Sequence, residues 1–189
     1  MPKEKIFISI SLIFFGIAGR IFMVEFLKIP NFEIVTSLSL IAGAMLGGIF
    51  TLIIPLSIIA ISDIYFGNTS ILIFTWSAFV IIGVFGWLLR KRKSFNYYFV
   101  VKMTGMGIIS SLFFYLYTNF GWWFLAKMYP YTFEGLIQCY IMGLPFLKTN
   151  LLGNLFFVPI FTSLALLVWK FYPILECKFP AKFKKIISF

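Results

Sequence analysis

The sequence contains no histidine, and only six of its 189 residues are acidic. Without histidine, the chain lacks a very common metal ligand and the usual general base near neutral pH. It also lacks a Gly-x-x-x-x-Gly-Lys phosphate-binding loop, paired carboxylates, a Cys-x-x-Cys pair and a nucleophile elbow. These absences argue against an enzyme, and we predict neither a cofactor nor a bound metal.

Charged residues are scarce, at 12%, while hydrophobic residues make up 61% of the chain and the mean hydropathy is +1.01. An ordinary globular domain is about half apolar and about a quarter charged. Several apolar runs reach about 17 residues or more, the length of a membrane-spanning helix. The net charge of +10 is explained by Lys and Arg that meet anionic lipid, so nucleic acid is not a predicted partner. The composition predicts an all-α protein embedded in the lipid bilayer.

The apolar runs predict a single membrane domain, residues 1–189, in a multi-pass protein of the cell membrane. The first run follows a short basic segment, and Ala18-Gly19 imitates a signal-peptide cleavage site. We prefer a membrane span, because the run continues past Arg20. Cys139 and Cys177 are then expected on opposite sides of the membrane, so no disulfide is predicted. Six spans are predicted, over residues 6–24, 31–46, 49–66, 71–89, 98–118 and 149–169.

Residues 34–66 are apolar for too long for one span, and Gly47 and Gly48 offer a tight turn between two. A single kinked helix is the alternative, but it would place the basic run at residues 90–93 outside the cell. With two helices, 12 of the 16 Lys and Arg fall on one side. The positive-inside rule then predicts that both termini are cytoplasmic.

Residues 118–154 interleave aromatic side chains with amides and turn-forming residues. Within this stretch, residues 132–142 look helical, with Thr132 as the N-cap and Glu134 in the first turn. Eleven residues cannot cross a bilayer. The sequence therefore predicts a loop over residues 119–148 that carries a short helix on the outer face, between spans 5 and 6.

Amide side chains gather at the predicted outer ends of the helices, whereas the predicted cytoplasmic side carries mainly basic residues. An aromatic belt at the headgroups is one explanation of the aromatics, but a belt would mark both interfaces about equally. Amides on one side favour a recessed pocket for a neutral or zwitterionic ligand, and the aromatics favour a planar one. An ion pair between Arg20 and Asp63 would either staple two helices or contact the ligand. The predicted site residues are Arg20, Asn31, Asp63, Asn68, Trp76, Asn119, Trp122, Gln138, Tyr140, Asn150 and Asn154.

Short motifs across residues 20–159 resemble those of the substrate-binding (S) components of energy-coupling factor (ECF) transporters, in a branch of that group whose substrates are not characterised. The matching segments are Arg20, KIPNF from Lys28, LIAGAMLGG from Leu40, Pro55, SD from Ser62, FGNT from Phe66, TWSAF from Thr75, TNFG from Thr118, YPYT from Tyr129, GLIQCY from Gly135, GLPF from Gly143 and NLLGN from Asn150.

The resemblance implies a six-helix subunit that binds a small vitamin-like or nucleobase-like substrate near the outer face. Its implied partners are a membrane coupling protein and two cytoplasmic ATPases, and the subunit would topple in the membrane to release the substrate inward. The family's Ala-x-x-x-Ala contact pattern on the first helix is not reproduced by Ser9, Ser11, Gly16 and Ala18. Two alternatives stay open: an assembly protein that uses the outer aromatic loop as an interface, and a small membrane enzyme centred on Asp63.

Overall fold

The computed structural model describes residues 3–29, 31–32, 34–67, 71–90 and 96–178, and this part of the chain is helical apart from its turns. Helix α1 (Lys3–Phe22) continues into a five-residue π-helical turn, Met23–Leu27, and helix α2 (Val35–Ile41) continues into another, Ala42–Leu46. The helices are α1 (Lys3–Phe22), α2 (Val35–Ile41), α3 (Phe50–Phe66), α4 (Leu72–Arg90), α5 (Tyr97–Ala126) and α6 (Phe133–Lys178).

Four helical segments within the described residues are long and apolar enough to cross a membrane. Two further apolar helices, Val35–Leu46 and Phe50–Phe66, are shorter. This all-helical architecture, with apolar side chains over much of its surface, is compatible with a membrane protein. The four long segments are Lys5–Leu27, Leu72–Arg90, Tyr97–Ala126 and Phe133–Val168.

The short helix α2 lies at the centre of the bundle, where every residue from position 34 to 47 is buried. A helix that is buried on all sides must be surrounded by other elements, and α1, α3, α4, α5 and α6 all contact α2. Glycine residues permit the closest contacts between α2 and α4. A Cβ atom at Gly86 of α4 would overlap the backbone of Leu40, and one at Gly43 would overlap the Gly83 carbonyl.

The tight turn predicted between the second and third helices is confirmed. Gly47 and Gly48 have φ angles of 63° and 58°, a conformation that glycine adopts without steric cost. Arg90 closes this turn, because its Nη1 donates to the Leu46 carbonyl oxygen at 2.6 Å. A Cβ atom at Gly47 would occupy the position of the Arg90 guanidinium.

Contacts between helix ends give the direction of each helix. Arg20, near the end of α1, contacts Asp63, near the end of α3, so both helices run toward what we call the Arg20 end of the bundle. Leu46 and Arg90 place the ends of α2 and α4 together at the opposite end, the Arg90 end. Cys139, early in α6, contacts Asn119, late in α5.

The short helix predicted over residues 132–142 is not separate, and this prediction is wrong. Helix α6 starts at Phe133 and continues without interruption through Gly143 and Pro145 to Lys178. At 46 residues it is about 69 Å long, against a hydrocarbon core of about 30 Å. Helix α5 likewise extends past position 118 to Ala126. Thr132 does cap α6 as predicted, since its Oγ1 accepts from the Gly135 N–H at 3.2 Å.

Candidate functional site

A cavity of about 500 Å³ lies at the Arg20 end of the bundle. It lies between the ends of α1 and α5 and the beginnings of α4 and α6, with Asn31 and Tyr129 from the connecting segments also in its wall. Aromatic, small polar and aliphatic side chains share its wall. Its lining residues are Arg20, Asn31, Ile71, Thr75, Phe79, Phe114, Thr118, Asn119, Trp122, Tyr129, Cys139, Met142, Gly143 and Phe146.

Helix α5 supplies one wall through residues spaced four apart: Phe114, Thr118 and Trp122. Residues at this spacing lie on one face of a helix. Asn119 lies beside them, and its Nδ2 donates to the Tyr115 carbonyl oxygen at 2.8 Å. This bond orients the amide, so Asn119 is an ordered polar group in a largely aromatic wall.

Helix α6 supplies the facing wall through Cys139, Met142, Gly143 and Phe146. A Cβ atom at Gly143 would meet the side-chain amide of Asn119, so the close approach of α6 to α5 depends on glycine. The Cys139 thiol is free, and its Sγ donates to the Asn119 carbonyl oxygen at 3.4 Å. Both contacts keep the two walls together at the level of Asn119.

Arg20 brings a positive charge to the cavity wall, and a neighbouring carboxylate balances it. Its Nη1 donates to Asp63 Oδ1 at 2.7 Å and to Ser62 Oγ at 2.5 Å. The other carboxylate oxygen, Asp63 Oδ2, accepts from Trp76 Nε1 at 2.8 Å. Asp63 is 2% exposed, so its charge is shielded from water and acts mainly on Arg20. This pair adds little net charge to the site, which suits a neutral or zwitterionic ligand.

A chain of amides lies beneath the cavity, beside a small pocket of about 20 Å³ that shares Asn31 and Asn119 with it. Asn150 Nδ2 donates to the Asn31 carbonyl oxygen at 3.3 Å. Asn154 Nδ2 then donates to Asn150 Oδ1 at 3.1 Å and to Ser111 Oγ at 2.7 Å. Among the described residues, no hydrogen-bond partner is found for the buried Asn154 Oδ1.

The predicted site residues therefore fall into five groups. Four of them line the cavity: Arg20, Asn31, Asn119 and Trp122. Asp63 and Trp76 lie behind Arg20, while Asn150 and Asn154 lie beneath the cavity. Gln138 and Tyr140 do not line it, and Asn68 lies outside the described residues.

Gln138 and Tyr140 are displaced because α6 is a regular helix at that point. Tyr140 faces α5, where its hydroxyl donates to the Leu116 carbonyl oxygen at 3.0 Å and its own carbonyl accepts from the Tyr115 hydroxyl at 2.6 Å. Gln138 is exposed. Tyr140 thus joins α5 to α6.

Several lining residues were absent from the predicted set, and helical spacing could have identified some of them. Thr118 and Phe114 lie four and eight positions before Trp122 on the same face of α5. Thr75 and Phe79 are similarly four apart on α4. The predicted residue Trp76 lies one position after Thr75. It is therefore off this face of α4, and its Nε1 contacts Asp63 instead.

A search of the described residues found no group of three or more His, Cys, Asp or Glu side chains that could hold a metal ion. The sequence profile of a family of unknown function, DUF6580, matches residues 2–175. No curated protein and no solved structure matches the chain.

Proposed function

Because this chain belongs to the DUF6580 family, whose function is unknown, we propose its activity from its own geometry: it is a membrane-embedded binding protein for uptake of a small compound. The observation that carries this proposal is the cavity of about 500 Å³ at the Arg20 end. Ligand pockets generally occupy about 300–1,000 Å³, with apolar walls and a few oriented polar groups. Asn119 and the Arg20–Asp63 pair are such groups.

The ligand we propose is planar and neutral or zwitterionic, as a vitamin or a nucleobase is. Trp122, Tyr129 and Phe114 on the wall offer aromatic faces for stacking. The Asn119 amide and the Thr118 hydroxyl offer hydrogen bonds to polar edges. Asp63 balances the charge of Arg20, so a ligand with a large net charge is disfavoured.

We propose further that all six helices cross the membrane, with both termini in the cytoplasm and the cavity facing outward. The alternating directions of the helices support this topology. So does the clustering of Lys and Arg in the sequence, at residues 90–93 and near both termini. The central segment Val35–Leu46 is about 18 Å long, shorter than the hydrocarbon core. Asn31, which precedes it, lines the cavity, so a short α2 leaves room for a recessed site.

The resemblance to ECF S components supports a further proposal, that the protein delivers its ligand to a coupling protein driven by two cytoplasmic ATPases. In this role the chain itself performs no chemistry. On α1, a Cβ atom at Gly16 would overlap Ile58, and one at Gly19 would overlap Ile34, so these glycines serve packing within the bundle. A coupling partner would instead meet exposed residues such as Ile10 and Phe14.

Native mass spectrometry of the full chain, purified in mild detergent, tests the binding function. We expect a bound small molecule in the wild-type protein, and much reduced retention in Asn119→Leu, which removes the amide from the wall. Gln138→Leu is the matched control, since Gln138 is an exposed amide on α6 outside the cavity, and it should retain the molecule. An empty wild-type protein, or equal retention in both variants, would overturn the proposal.

A second candidate function, an assembly protein, is favoured by the exposed apolar side chains where α5 meets α6. Phe124, Met128, Tyr131 and Phe133 are each more than half exposed. Exposed apolar patches of this kind mark interfaces with proteins or membranes. Affinity purification after crosslinking through position 131 distinguishes the two candidates. An assembly role predicts that one partner protein is crosslinked through position 131 in a stoichiometric amount. It predicts the same partner in Asn119→Leu, in which ligand binding is abolished.

A further inference from the structure

A second cavity, of about 400 Å³, lies toward the Arg90 end between the first half of α1, the end of α2 and the last part of α6. Its wall is almost entirely apolar, with Phe7 and Phe15 on one side and Met45 and Val168 on others. Ser11 is the one polar side chain among the described residues that line the groove, and its hydroxyl donates to the Phe7 carbonyl oxygen of its own helix at 3.0 Å. This groove is suited to a hydrocarbon chain.

Two cationic residues are linked to the wall of this groove, one by a hydrogen bond and one by its position on α1. Leu46 lines it, and the Leu46 carbonyl oxygen accepts from Arg90 Nη1 at 2.6 Å, so the guanidinium contacts the backbone of a residue in the wall. Lys5 lies one helical turn before Ile8, another lining residue. A hydrocarbon surface with two cations at its Arg90 end matches an amphiphile with an anionic head.

We propose that this groove is a binding site for one anionic phospholipid, with an acyl chain between α1 and α6 and its phosphate against Arg90 and Lys5. A guanidinium group suits phosphate because its planar N–H donors match the phosphate oxygens. Each basic residue near an anionic lipid surface contributes roughly 1 kcal/mol to such binding. The proposal does not depend on the function of the other cavity.

The bound lipid would complete the packing of α1. Phe15 at the groove contacts Phe161 of α6 with ring centroids 5.4 Å apart, and from that contact toward the Arg90 end the groove lies between the two helices. Ile41 and Met45 of the central helix form part of its wall. An acyl chain there would contact three helices at once, unlike a lipid that merely covers a convex helix face.

Native mass spectrometry of the full chain tests the acyl-chain part. The purified protein is titrated with phosphatidylglycerol or phosphatidylcholine that carries identical acyl chains. We expect one retained lipid per chain, with phosphatidylglycerol preferred. Ala165→Phe fills the groove and should remove most of the retained lipid. Ile73→Phe, at an apolar position that is 77% exposed and outside the groove, is the matched control and should retain it.

The headgroup part is tested by Lys5→Gln and Arg90→Gln, each expected to lower the preference for phosphatidylglycerol about fivefold. Lys127→Gln, at the opposite end of the bundle, should leave the preference unchanged. Lys5→Gln keeps the test valid if Arg90→Gln misfolds through loss of its bond to Leu46. Equal retention of the two lipids, retention that survives Ala165→Phe, or a polypeptide in the groove would overturn the proposal.

Discussion

Arg20 and Asp63 form an ion pair, with 2.7 Å between Nη1 and Oδ1, that joins the end of α1 to the end of α3 beside the main cavity. The side chain of Arg20 is 15% exposed and lines the cavity, while that of Asp63 is 2% exposed and lies behind it. Trp76 ties α4 to the same carboxylate. The pair therefore links α1 to α3 and, through Trp76, to α4, and it contributes Arg20 to the cavity wall.

Replacing Asp63 with Asn should destabilise the protein, because it removes the carboxylate that balances Arg20. Breaking a buried ion pair from one side costs about 3–5 kcal/mol. Since Arg20 is partly exposed, we expect a loss of about 2–3 kcal/mol. Thermal unfolding in detergent, followed by tryptophan fluorescence, measures the loss. The exposed carboxylate Glu25, changed to Gln, is the control, and equal stability of the two variants would contradict a structural role for the pair.

Gly143→Ala should open the contact between α5 and α6 at the cavity wall, because the new Cβ would meet the Asn119 side chain. Overpacking of this kind costs about 1–3 kcal/mol. We expect a lower melting temperature and weaker ligand retention. At Gly105 of α5 a Cβ would meet nothing within 4 Å, so Gly105→Ala should be neutral or stabilising by up to about 1 kcal/mol. The same loss in both variants would contradict the close approach seen at Gly143.

The sequence could predict that Arg20, Asn31, Asn119 and Trp122 lie at one end of the bundle. The predicted helix lengths and the distribution of Lys and Arg assign these four residues to the same side. The pairing of Arg20 with Asp63 followed from the scarcity of charge in the apolar runs. A charged side chain in lipid is energetically costly unless it pairs with another group. Both features depend on where the polar residues lie along the chain, and those positions are read directly from the sequence.

The continuity of α6 through Gly143 and Pro145 could not be read from residue types alone. Glycine and proline normally mark helix ends, but in membrane helices they are tolerated where neighbouring helices pack against them. At Gly143 that neighbour is Asn119. This tertiary contact also decides that Gly143 and Cys139 face the cavity while Gln138 and Tyr140 do not.

The proposed orientation predicts opposite accessibility for the two ends of α5. In a chain with Cys139 and Cys177 replaced by Ser, a single cysteine at Tyr131 should react in intact cells with a membrane-impermeant maleimide. One at Asn96 should react only after the cells are permeabilised. Both residues are exposed, so reactivity reports the side of the membrane rather than burial. The reverse pattern would place the main cavity on the cytoplasmic side.

The adjacent pair Trp122 and Trp123 gives the most direct measurement of the central claim, that the main cavity binds a small planar molecule. Trp122 lines the cavity, whereas Trp123 Nε1 donates to the Pro130 carbonyl oxygen at 2.9 Å. The molecule released from the wild-type protein is titrated back onto Trp122→Ala and Trp123→Ala, and the dissociation constants are compared by native mass spectrometry. Loss of a stacked aromatic contact costs about 1 kcal/mol or more, so we expect at least fivefold weaker binding in Trp122→Ala and wild-type binding in Trp123→Ala. Equal affinities in the two variants, or a wild-type protein that releases no such molecule, would contradict the account.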